Sequence, residues 1–75
     1  MDQQVTFKTV DGESVTLPAK DYLYSKRDEG NPAVRTLVFY TGQAPDGGFL
    51  NTPYTISAQD ADEIVASIRK IIFGW

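Results

Sequence analysis

The stretch Ser57-Ala58-Gln59-Asp60-Ala61-Asp62-Glu63-Ile64-Val65-Ala66-Ser67-Ile68-Arg69-Lys70-Ile71-Ile72-Phe73-Gly74-Trp75 decides the fold class. Ala61, Ile64, Val65, Ile68, Ile71, Ile72 and Trp75 recur at three- and four-residue spacing, the pattern of a helix with one apolar face. Ser57 is a good N-cap, and Asp60 three residues later comes close to a capping box. Asp60, Asp62 and Glu63 lie near the positive end of the helix dipole, Arg69 and Lys70 near its negative end. Gly74 supplies a stop. A helix of roughly four turns is long enough to cover a small sheet.

Upstream the period changes from helical to alternating. Val5 and Phe7 alternate with Thr6 and Lys8, and Val15 and Leu17 alternate with Ser14 and Thr16. Asp11-Gly12 between them marks a hairpin. A two-residue loop would oppose Lys8 to Val15 and set a charge among apolar side chains. A three-residue loop, Val10-Asp11-Gly12, instead pairs Phe7 with Val15 and Val5 with Leu17, with Gly12 in the left-handed region of a bulge. Pro18 ends the second strand or marks an edge position. Over residues 19–26, Tyr22-Leu23-Tyr24 favours a strand, while Pro18 could open a short helix; the strand is preferred. Residues 27–32 read as a polar loop and 42–48 as a glycine-rich loop. Leu37-Val38-Phe39-Tyr40 is apolar on both faces, as in a central strand. Tyr54-Thr55-Ile56 reads as a further short strand or an extended lead-in to the helix.

The expected fold is therefore α+β: residues 1–75 as a single domain, with an antiparallel sheet of three to four strands and one C-terminal helix packed on one face. The core is expected to hold Val5, Phe7, Val15, Leu17, Leu37, Phe39, Ile56, Ile64, Val65, Ile68 and Ile71.

Composition then narrows function by exclusion. With 41% hydrophobic and 12% aromatic residues, the chain can build a core. Histidine and cysteine are both absent from the sequence. That removes the commonest general base, the thiolate metal ligands and the usual nucleophile dyads. Ser67 and Lys70 fall one turn apart, but an activated lysine needs a desolvated site that the polar face of a terminal helix does not offer. Asp60, Asp62 and Glu63 are explained by the dipole. The 42–48 loop lacks the Lys-Ser or Lys-Thr of a phosphate cradle. Enzymatic activity, metals and cofactors are accordingly not expected.

A net charge of −3 lacks the basic excess of a general nucleic-acid binder. No apolar run reaches the length of a membrane span. Met1-Asp2-Gln3-Gln4 does not resemble a secretory signal, so cytoplasmic residence is the expectation.

An apolar remainder is left over. A helix covers one face of a sheet, so if Leu37 and Phe39 face it, Val38 and Tyr40 face away. Tyr22, Tyr24, Val38 and Tyr40 are therefore the candidate partner-binding residues of an outer sheet face. The expected function is a non-enzymatic protein-interaction module acting through an exposed sheet face or edge, with a protein partner or a second copy of itself in a homodimer. Its size and acidity fit an accessory or inhibitor protein of a bacterium or its phage. The alternative is a small-molecule or single-stranded nucleic-acid binding domain built on Lys26, Arg27, Arg35 and the tyrosines.

Overall fold

Two hairpins with the same turn shape the chain. The computed structural model describes residues 3–74; Trp75, which the spacing assigns to the helix face, lies outside the described residues. The elements are β1 (Gln4–Lys8), β2 (Ser14–Pro18), a 3-10 turn (Ala19–Asp21), β3 (Tyr22–Arg27), β4 (Val34–Gln43), β5 (Phe49–Ser57) and the helix α1 (Ala58–Phe73). This is the expected α+β architecture. The strands divide between two antiparallel sheets, β1-β2 and β3-β4-β5 with β4 central.

In the first hairpin Phe7 pairs with Val15 and Val5 with Leu17, the register expected from the buried pattern. The Thr9 N–H donates to the Glu13 carbonyl at 2.8 Å and the Gly12 N–H to the Thr9 carbonyl at 3.0 Å. Gly12 sits at φ 91°, where a Cβ would be strained. The Thr9 hydroxyl donates to the Asp11 carboxylate. That bond, followed by the Glu13 backbone N–H, holds the Asp11 carboxyl below its ordinary range. The second hairpin repeats the design: Ala44 N–H to Gly48 carbonyl at 2.8 Å, Gly47 N–H to Ala44 carbonyl at 3.0 Å, and Gly47 at φ 92°. Each turn has Asp-Gly at its end, Asp11-Gly12 and Asp46-Gly47.

Two bulges depart from the sequence reading. Gly42 and Gln43 belong to β4 and not to the loop, because an irregularity between Tyr40 and Gly42 absorbs one residue. Gly42 at φ 139° permits it. A second irregularity lies between Tyr22 and Tyr24. Residues 19–26 combine both options weighed for them, a 3-10 turn after Pro18 and then a strand. Ala19 is fully buried in that turn. Arg27 closes β3 and so is not part of the loop.

The core lies between the three-stranded sheet on one side and hairpin plus helix on the other. Phe39 is its centre: Phe7 stacks on it at 5.8 Å, and Tyr22 and Tyr54 meet it edge-on at 5.6 and 6.0 Å. Leu37, Ile56, Ala61 and Ile68 are fully buried around it, and Leu17, Ile64, Val65 and Ile71 pack partly buried against it. The expected core is thus present. Ile72 departs from the expected stripe: it is exposed, as is Phe73, so the last helical turn carries apolar surface beyond what the sheet covers.

The helix ends follow their signals. The Ser57 Oγ accepts from the Asp60 N–H at 3.2 Å, and Gly74, left-handed at φ 79°, returns its N–H to the Lys70 carbonyl. Arg35 on β4 pairs with Asp62 on α1, and the Ala58 N–H bonds the Ala33 carbonyl at 2.8 Å. Ser57→Ala should cost about 1 kcal/mol. Urea unfolding should show a lower midpoint with an unchanged slope.

Candidate interaction surface

Register assigns every residue of the three-stranded sheet to a face. On β4, Leu37 and Phe39 face the helix and hairpin, while Thr36, Val38 and Tyr40 face away, as expected. Opposite them β5 contributes Asn51, Pro53 and Thr55 to the outer face, with Phe49 two residues further. From β3, Tyr24 stands opposite Val38 and Lys26 opposite Thr36. Lys26 is the single charged residue among these positions. A sheet face this poor in charge, on a chain with 10 acidic and 7 basic residues, matches the charge depletion and aromatic enrichment of interface cores.

The four candidate residues are not equivalent. Tyr24 and Tyr40 lie on the outer face, Tyr24 at 51% exposure and Tyr40 half-buried. Val38 shares that face but is only 4% exposed, set between Tyr24 and Pro53 on the neighbouring strands. It forms the floor of the patch and offers little contact area. Tyr22 does not belong to the patch. The bulge at Leu23 breaks the alternation of β3 and turns Tyr22 inward onto Phe39.

The residue that sequence reasoning missed is Phe49. It is 73% exposed and lies edge-on to Tyr40, ring centres 5.7 Å apart. Leu23, extruded by the bulge, is also exposed. Lys20, Asp21, Leu23, Tyr40, Phe49 and Asn51 line a shallow, mainly apolar groove. The alternation carries a partial signal for Phe49: stepping back by twos from Thr55 through Pro53 and Asn51 leads to it once β5 is known to begin at Phe49.

The basic residues of the alternative reading do assemble. Ser25, Lys26, Arg27 and Arg35 line one polar depression, with Arg27 directly opposite Arg35. Arg35, however, is already engaged by Asp62. Ser67 and Lys70 are both exposed, and so are Asp60, Asp62 and Glu63. No cluster of acidic side chains suited to a metal ion occurs among the described residues. No helix among them is long and apolar enough to cross a membrane.

No protein-family model, curated protein or solved structure matches this chain.

Proposed function

We propose that this chain is a non-enzymatic protein-interaction module that binds its partner through the outer face of β3-β4-β5. The observation that carries the reading is Phe49, 73% exposed beside Tyr40 on a face with one charge. A large ring left in water is unfavourable by about 25 cal/mol for each Å² of apolar surface, and a partner removes that cost. The helix and first hairpin lie on the opposite side of the sheet, so docking requires no rearrangement of the core. An accessory or inhibitor role in a bacterium or phage suits a module of this size that works by covering another protein.

The reading is tested by salt. Proteins captured on the immobilised domain should stay bound when salt is raised from about 0.1 M to about 1 M, because apolar burial is not screened. Release over that range, together with retention of single-stranded nucleic acid at low salt, would instead favour the Lys26–Arg27 depression.

A further inference from the structure

The ladder of the first hairpin fixes where the remaining backbone groups of β1 point. The Thr9 N–H donates to the Glu13 carbonyl and the Ala19 N–H to the Gln3 carbonyl, so Gln3, Val5, Phe7 and Thr9 turn their backbone groups to β2. In an antiparallel ladder the intervening residues direct N–H and C=O the other way. Gln4, Thr6 and Lys8 therefore face outward, and among the described residues none of them makes a backbone bond outside the hairpin. A row of unmet donors and acceptors is a template for an extended chain.

What borders this row decides what can lie on it. Gln3, Gln4, Val5 and Thr6 form one wall of a groove of about 580 Å³, and Ile64, Ser67, Lys70 and Ile71 of α1 form the other. That volume falls within the range of small-ligand sites, about 300–1,000 Å³. The helix limits the width. It leaves no room for a hairpin or for a partner helix about 10 Å across, and a single extended chain is the narrowest backbone that can reach the outward groups. The lining is one-sided in charge. Lys70 is its one ionised side chain, and it has no carboxylate partner among the described residues. Val5 and the half-buried Ile64 and Ile71 supply the apolar part. No residue of the lining has the positive φ of a backbone nest, the usual seat of a terminal carboxylate.

We infer that this groove binds a single extended peptide segment with apolar side chains at alternate positions and an acidic side chain beside them. The peptide backbone bonds the outward groups of Gln4 and Thr6. Alternate side chains turn towards α1 and cover Ile64 and Ile71, and the carboxylate meets Lys70. Ile64 and Ile71 lie about two helical turns apart, roughly 10 Å, and side chains at i and i+2 of an extended chain, roughly 7 Å apart, cover that stretch. Burying those side chains supplies affinity, while the lone cation selects an acidic sequence over a basic one. A second copy of this chain does not suit the groove, because its own β1 comes with β2 and the pair meets the helix. The groove lies on the hairpin and helix side of the molecule, so the inference is independent of the outer-face reading.

The test is a selection from displayed random peptides, fused at their C-termini, on the immobilised Phe49→Ser variant. That bait lacks the outer-face anchor and keeps the groove, so failure here leaves the outer-face reading standing. Selection should enrich apolar residues at i and i+2 with an Asp or Glu next to them. The synthetic consensus peptide, amidated at its C-terminus, should bind in fluorescence anisotropy and slow amide exchange at Gln4 and Thr6. Lys70→Glu should weaken it roughly tenfold, and a peptide with Lys in place of its acid should prefer Lys70→Glu to the parent. N-methylation of alternate peptide amides should abolish binding in one parity and spare it in the other, the signature of strand pairing. The inference is overturned if no sequence is enriched, if the consensus is basic or uncharged, or if Lys70→Glu binds it unchanged. It is equally overturned if bound peptide leaves Gln4 and Thr6 unprotected. Protection of those amides that is lost when the bait alone is diluted would mean a second copy and would also overturn it.

Discussion

Phe39→Ala is expected to lower stability by about 3–5 kcal/mol, the largest single effect in this domain. Phe39 has no solvent exposure and holds Phe7 from the hairpin, Tyr22 from β3 and Tyr54 from β5 around it. Truncation would leave a cavity between two sheets that are tied to each other mainly by side-chain packing. A domain of 75 residues has roughly 4–11 kcal/mol of total stability, so most of it is at stake. The melting temperature should fall by roughly 15–30 °C. Calorimetry or circular dichroism checks this directly. A loss of under about 1 kcal/mol would mean that the hairpin does not pack on the sheet as described.

Phe49→Ser is expected to do the reverse, leaving the fold intact and removing binding. Phe49 is mostly in water and is not part of the core cluster, so its loss should change stability by no more than about 0.5 kcal/mol. At the centre of an interface, an aromatic anchor typically supplies about 2 kcal/mol or more, roughly 30-fold in Kd. The contrast with Phe39 follows from position alone. Both are phenylalanines on the same sheet, one on each face, ten residues apart in sequence but separated by one register irregularity and a turn.

The parts of the fold that local chemistry specifies were legible. The helix declared itself through Ser57, the 61–64–65–68–71 spacing and Gly74. The first hairpin followed from Asp11-Gly12 and the need to keep Lys8 out of the core. The bulges at Leu23 and Thr41 were not legible. A bulge is set by how a strand must bend over its neighbours, which no local pattern of side chains reports. Each bulge reverses the alternation on one side of it. That is why Tyr22 points inward although Tyr24 points outward, and why β4 runs on through Gly42. The candidate surface was therefore half-legible: its centre, Val38 and Tyr40, follows from the parity of one strand. Its richest contact, Phe49, required knowing how β5 extends past Asn51. The division of the strands into two sheets is likewise a tertiary outcome. The hairpin sequence dictates its own pairing and buries Val5 and Phe7 by packing across a second sheet.

The outer face is tested most directly by affinity capture run in parallel on immobilised wild type, Phe49→Ser and Ile72→Ser. The last replaces an exposed apolar residue on the helix, away from the proposed surface. The account predicts that the same proteins are retained by wild type and Ile72→Ser and are lost from Phe49→Ser, with all three domains equally folded. Equal retention by Phe49→Ser and wild type would contradict it.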